Sequence, residues 1–158
     1  FINFNQPLNS MKTGVKVVEA MTKMPIIVRP DEVLEECIKK MIKGDIGSLM
    51  VAEGDKLLGI ITEKDLINKA LGKNLDVSKS TAKDIMTTRM IQISPDQDLY
   101  DAILLMSREE VRRLPVIKEG KFIGLITYRD VLKIQPDLFD IFVENFKIRE
   151  EKTKMKMS

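Results

Sequence analysis

Short apolar runs and amphipathic stretches alternate along this chain in an order that occurs twice. IIV (26–28) and IQI (91–93) are short enough for single strands, and one residue after each stands a Pro-Asp pair. Leu34, Cys37, Ile38, Met41 and Ile42 then recur at the spacing of a helix with one apolar face, as do Leu99, Ala102, Ile103 and Met106. In SPDQ (94–97) Ser94 is placed to cap, Pro95 suits a first turn and Gln97 completes a capping box. Arg29 stands at the capping place in the first copy and predicts a weaker start there. Two β-rich runs about tight turns follow, SLMVAEGDKLLGIIT (48–62) and RLPVIKEGKFIGLIT (113–127). Each leads into a further helix, from about Glu63 to Leu71 and from about Tyr128 to Ile134.

The recurrence is a gapless duplication. EAMTKMPIIVRPDEVL (19–34) aligns with DIMTTRMIQISPDQDL (84–99), setting Met21 against Met86 at an offset of 65 residues. The same offset pairs Pro30 with Pro95, Met41 with Met106, Leu49 with Leu114, Gly59 with Gly124, Thr62 with Thr127 and Asp65 with Asp130. The elements predict an α+β fold of two βαββα repeats, 15–72 and 81–135, joined by a linker at 73–80. Neither unit buries much alone, so the two are expected to pack about a pseudo-twofold axis. Residues 1–14 read as an N-terminal extension, and 136–158 as an amphipathic helix with a basic tail, KTKMKMS. That helix carries Leu138, Phe139, Phe142 and Phe146, three of the chain's six Phe residues, and has no counterpart after the first copy.

Composition narrows the chemistry. With 158 residues, 44% of them hydrophobic and 32% charged, the chain has ordinary globular material, and its longest apolar runs are far below the roughly 20 residues of a membrane span. There is no His, which removes His-based triads and the usual zinc ligand sets, so neither an enzyme nor a metal site is expected. A single Cys, Cys37, in the apolar phase of a helix points to a reducing, cytoplasmic setting. A net charge of +2 makes no electrostatic case for nucleic acid or acidic membrane.

GIITEKD (59–65) and GLITYRD (124–130) each end on a Thr and an Asp three residues apart. Taken alone, each is a capping box, with the Thr hydroxyl accepting a backbone N–H and the carboxylate reaching back. The whole unit says more. Its order of elements, the Met-Thr before the first strand, the Pro-Asp after it, the L-P-V strand and the G-x-x-T-x-x-D close resemble the cystathionine-β-synthase (CBS) domain, and two in tandem resemble the CBS pair, or Bateman module.

The resemblance implies a non-catalytic regulatory module that binds AMP, ADP, ATP or S-adenosyl compounds in clefts between the repeats, with no cofactor besides that ligand. It implies that Asp130 and Thr127 serve the ribose and phosphate in one cleft, and Asp65 and Thr62 in the other. A carboxylate accepting from two hydroxyls suits this, at about 1.5–3 kcal/mol per charge-assisted bond. It also sets the adenine against Met24, Pro25, Ile26 and Leu125 in the Asp130 cleft, and against Arg89, Met90, Ile91 and Ile60 in the Asp65 cleft. Arg112 and Arg113, just before L-P-V, are the implied phosphate contacts, with Gly47 and Ser48 in their place in the first copy; Arg129 and Lys64 add charge. The Asp130 cleft is therefore expected to be the better nucleotide site. Homodimerisation through helices and an unidentified regulated partner protein are further implications, and packing of the last helix on its own chain is the alternative to its making the dimer contact. Two other readings stand beside the sensor: a structural dimerisation module with vestigial clefts, and nucleic-acid binding through the Arg pair and basic tail.

Overall fold

The computed structural model describes residues 12–157, with the side chains of 145–152 left out. Residues 1–11, most of the expected extension, and the Phe146 side chain lie outside the described residues. The chain runs α1 (Val17–Ala20), β1 (Ile27–Val28), α2 (Leu34–Gly44), β2 (Ser48–Glu53), β3 (Lys56–Thr62) and α3, which opens at Glu63–Asp65, widens into a π turn over Leu66–Ala70 and closes with a 3₁₀ turn at Leu71–Lys73. It continues with α4 (Ala82–Ile85), α5 (Leu99–Glu109), β4 (Arg113–Lys118), β5 (Lys121–Thr127), α6 (Tyr128–Ile134), a 3₁₀ turn at Pro136–Leu138 and α7 (Phe139–Met157). The expected mixture of small sheets and covering helices is present in both copies.

In the first copy β1 lies parallel to β2, with Ile27 opposite Met50, and β2 pairs antiparallel with β3. In the second copy β4 and β5 form a hairpin, but IQI (91–93) is not a strand. Only Ile93 pairs, donating to the Pro115 carbonyl and accepting from the Ile117 N–H, both at 3.0 Å. Pro115 stands where the first copy has Met50 and has no N–H, so the ladder cannot extend.

The helix start expected at SPDQ is also displaced. Gln97 Oε1 does accept the Ser94 N–H at 3.2 Å, but this closes a turn, and α5 begins two residues further on behind Asp98. The Asp98 carboxylate accepts from Tyr100 N (2.8 Å), Thr13 N (3.0 Å), Thr13 Oγ1 (2.9 Å) and Gly14 N (2.9 Å). Burial pushes this carboxyl up, yet the donors outweigh burial and hold it below the ordinary Asp range. A charged acceptor that gathers four donors makes a stronger cap than a hydroxyl. In the first copy Val33 occupies the cap position without a side-chain bond, and Arg29 turns instead to Asp31 at 3.3 Å.

By its contacts the chain divides into two compact units, and each combines parts of both copies. Among the described residues, one comprises 12–23 with Ile91–Lys118 and 124–157; the other comprises Met24–Met90 with Glu119–Ile123. The exchange is visible in the pairing. Thr22 bridges to Leu125 and Lys16 to Asp98, while Thr87 bridges to Ile60 and Thr81 to Val33. The motif glycines make this possible. A Cβ on Gly124 would stand 2.7 Å from the Thr22 carbonyl and 2.8 Å from Met21 Sδ; one on Gly59 would stand 2.8 Å from Met86 Sδ. The Met-Thr lead of each copy therefore lies on the G-x-x-T-x-x-D strand of the other, where only Gly leaves room.

Val28, Leu34, Cys37, Met41, Leu49, Val51, Ile61 and Ile85 form the core of the Met24–Met90 unit. Burial pushes the Cys37 thiol up to about 11. In the other unit Val17, Leu99, Ile103, Met106, Leu114, Val116, Ile126 and Val131 are buried, and Leu138, Ile141 and Phe142 join them. The first turns of α7 thus pack on their own chain: Ser107 Oγ donates to the Ile141 carbonyl at 2.7 Å, and Phe142 stacks on Tyr128 at 4.8 Å between centroids. Phe139 remains 53% exposed. No helix among the described residues is long and apolar enough to cross a membrane.

Candidate functional site

Both Thr/Asp motifs form the capping boxes that the sequence predicts. Thr62 Oγ1 accepts the Asp65 N–H at 3.2 Å, and Asp65 Oδ2 accepts from Thr62 N at 2.9 Å. The matching bonds for Thr127 and Asp130 are 3.3 and 2.9 Å. In each copy the first helical N–H is also tied back to the turn before the preceding hairpin: Glu63 N donates to the Gly47 carbonyl at 3.1 Å, Tyr128 N to the Arg112 carbonyl at 3.0 Å. Residue 47 or 112 is thereby held next to the motif. The backbone frame is the same twice; the side chains on it are not.

Around Asp130 the frame carries cations. Arg112 is exposed beside the start of α6, and half-buried Arg113 opens β4. The exposed Arg129 donates from Nε to the Tyr128 hydroxyl at 3.1 Å, with its guanidinium 5.7 Å from that ring's centroid; the hydroxyl bond raises its pKa further. Arg129 is thus anchored on Tyr128. Asp130 spends Oδ2 on the Thr127 N–H, and Oδ1 meets no donor among the described residues.

Around Asp65 the frame carries a closed network. Lys69 Nζ lies 2.9 Å from Asp65 Oδ1, 3.0 Å from Thr87 Oγ1 and 3.1 Å from the Ile85 carbonyl. Thr87 Oγ1 donates to the same Oδ1 at 3.1 Å, and Thr62 Oγ1 donates to Oδ2 at 3.0 Å. Asp65 is 8% exposed, and burial pushes its carboxyl up; the Lys69 ammonium and the Thr62 donors overcome this and hold it below the ordinary range. Where the second copy has Arg112, the first has Gly47, whose missing side chain would meet the Glu63 carboxylate at 3.5 Å. Lys64 is exposed, with no ion pair among the described residues.

The adenine residues named from the resemblance divide unevenly. Ile60 exchanges backbone bonds with Thr87 (Ile60 N to Thr87 O 3.0 Å, Thr87 N to Ile60 O 2.8 Å), so Arg89 and Met90 follow within two or three residues of that bridge, in the same unit as Asp65. Leu125 is likewise bonded to Thr22, in the unit of Asp130. Met24 (90% exposed), Pro25 and Ile26 (43% exposed) belong to the unit that contains Asp65, and Ile91 to the one that contains Asp130. Sequence reasoning missed Lys69, Thr87 and Tyr128. Lys69 did leave a signal: at the offset of 65 the second copy has Ile134, an unlike residue four places after a shared Asp.

The geometry describes two halves of one duplicated domain, each closing on a capped Thr/Asp. The CBS-domain family model matches residues 16–72 and 82–137, most of the chain, and the protein belongs to that family as a tandem CBS pair. An uncharacterised protein of Methanopyrus kandleri is 34% identical over 140 residues, 87% of this chain and 71% of that one. The inosine-5′-monophosphate dehydrogenase of Methanocaldococcus jannaschii is 32% identical over 84% of this chain, which spans 26% of that enzyme. Among solved structures, a CBS domain pair in complex with 5′-methylthioadenosine and S-adenosyl-L-methionine superposes with a TM-score of 0.65 at 30% identity, covering 76% of this chain and 98% of that one.

Proposed function

We propose that the protein is a non-catalytic sensor that binds an adenosine-containing ligand through Asp130. The observation that carries this is the state of the two carboxylates: Asp130 keeps one oxygen without a donor among the described residues, beside a guanidinium-bearing frame, whereas both oxygens of Asp65 are engaged. An ionised carboxylate with an open oxygen accepts ribose hydroxyls, and Arg112, Arg113 and Arg129 are of the type that pairs with phosphate. The 30% identical CBS pair with two adenosyl ligands supports the ligand class. Thermal melts with AMP, ADP, ATP, S-adenosylmethionine and 5′-methylthioadenosine test it, since a ligand at about 100 times its Kd stabilises by about 2.7 kcal/mol. Asp130→Ala is expected to abolish the shift. No shift of the parent protein with any of the five would favour a purely structural module instead.

The second reading, a homodimer, rests on the Met24–Met90 unit. Ile42, Ile67 and Leu71 on α2 and α3 are 75%, 60% and 71% exposed, and Ile42 lines a surface pocket of about 410 Å³ with Ile38, Met41, Ile46 and Leu66, completed by Asp45, Gly47 and Glu63. Isolated exposed apolar residues need no explanation, but such a cluster on two neighbouring helices suits association. Sedimentation of Ile67→Glu/Leu71→Glu is expected to give half the parent mass; an unchanged mass would remove this face from the contact.

A further inference from the structure

Lys69 spends all three of its N–H groups inside the protein. Its acceptors are Asp65 Oδ1 (2.9 Å), Thr87 Oγ1 (3.0 Å) and the Ile85 carbonyl at the end of α4 (3.1 Å). The carboxylate it faces is equally committed, with Lys69 and Thr87 on Oδ1 and the Thr62 N–H and hydroxyl on Oδ2. A carboxylate offers about four lone-pair directions, and here four donors take them. A ribose diol arriving at Asp65 would have to displace an ammonium, which adds a full opposite charge that no hydroxyl supplies, and would leave that cation without its counter-charge. The Asp is also 8% exposed, so the contact is made at a carboxylate largely shielded from water, with the Lys69 side chain itself 38% exposed.

None of this holds in the second copy. The position of Lys69 is taken by Ile134, which has no donor, and Thr22, the counterpart of Thr87, makes its bonds to Leu125 through its backbone. Asp130 accepts from the Thr127 N–H alone among the described residues, apart from its own helical role.

We propose that Lys69 is the specificity-determining residue of the first repeat: it occupies the hydroxyl-accepting oxygen of Asp65 and so closes that site to the vicinal diol that Asp130 accepts. The inference rests on the reading of Asp130 as a ribose site. One chain then binds one equivalent of a ribonucleoside ligand, not two, and the duplicated motif serves as a capped, internally paired helix start in one copy and a binding site in the other.

Calorimetric titration of AMP into the full chain and into Lys69→Met and Lys69→Ile, the second installing the residue of the other copy, tests this. The expected result is one equivalent for the parent and two for both variants, with one equivalent restored by adding Asp130→Ala and none gained with 2′,3′-dideoxy-AMP. Lys69→Arg, which keeps a cation, is expected to stay at one. Dispersed amide spectra identify a folded variant, and two substitutions guard against the loss of one. Two equivalents in the parent, or one in every folded variant while the parent binds, overturns the role of Lys69 and leaves Asp130 as the site. No binding to parent or variants overturns both.

Discussion

The helical faces of the two copies are built from matching positions and end differently. At the offset of 65, Ile38, Met41 and Leu66 correspond to Ile103, Met106 and Val131 with no change of character, but Ile42 becomes Ser107 and Glu63 becomes Tyr128. In the second copy Ser107 is 2% exposed and donates to the Ile141 carbonyl, and the Tyr128 ring lies flat on Phe142. In the first copy Ile42 is 75% exposed beside an open pocket. The polar residue is the buried one and the apolar residue the exposed one, the reverse of what either side chain suggests. What decides is the presence of α7: a buried hydroxyl is stable only where a partner meets it. Phe142→Ala should therefore cost about 3–5 kcal/mol as a buried aromatic deletion, while Ile42→Ser, which copies the other repeat, removes little packing within the chain and should cost clearly less. Urea unfolding compares them, and equal losses would break the contrast.

The exchanged Met-Thr leads sharpen the comparison at smaller scale. Gly124→Ala drives a Cβ to 2.7 Å from a backbone carbonyl, that of Thr22, which cannot swing aside. Gly59→Ala meets first the Met86 side chain, at 2.8 Å, and the Thr87 carbonyl only at 3.0 Å. Met yields more readily than backbone, so both substitutions should destabilise, within the roughly 1–3 kcal/mol of overpacking, and Gly124→Ala by more. A larger loss at Gly59 would mean that Met86 has no other rotamer to take.

Much of this architecture was legible because the signals are local. The hairpins follow from alternation about EGD and EGK, helices α2 and α5 from apolar spacing, and the Thr/Asp boxes from three-residue separation. What was hidden lies between distant residues. Nothing near Thr22 announces Leu125, and the exchange of lead segments was invisible although Gly59 and Gly124 were already part of the motif. The missing strand at 91–93 is a property of Pro115, some twenty residues away, and the cap of α5 is fixed at Asp98 partly by Thr13 and Gly14. The candidate site divides the same way: Asp65 and Asp130 are equivalent in sequence, and their difference comes from Lys69, which no motif includes, and from the hydroxyl of Thr87, which the Met-Thr motif includes without marking it as a partner of Asp65. The expectation that Asp130 is the better site rests on Arg112 and Arg113; the proposed closure of Asp65 gives the same ranking from other residues, Lys69 and Thr87.

The smallest expected effect concerns that closure and acid. In the folded protein Asp65 titrates below its ordinary value, while in the unfolded chain it titrates near the ordinary Asp value of about 3.9. Between those two points the unfolded chain holds more protons, so stability falls as pH falls. The contribution of Asp65 is fully present above the unfolded pKa and is lost as pH drops through the folded one. Lys69→Met removes the largest of the interactions that lower this pKa and leaves burial, which raises it. Urea midpoints of the parent should therefore decline more steeply from about pH 5 to pH 3 than those of Lys69→Met. Asp98 is also held below its ordinary range, but it contributes to both proteins alike, so the difference between the two curves isolates Asp65. Parallel curves would show that Thr62 and Thr87 alone keep Asp65 ionised, and that the ion pair to Lys69 adds nothing to the fold.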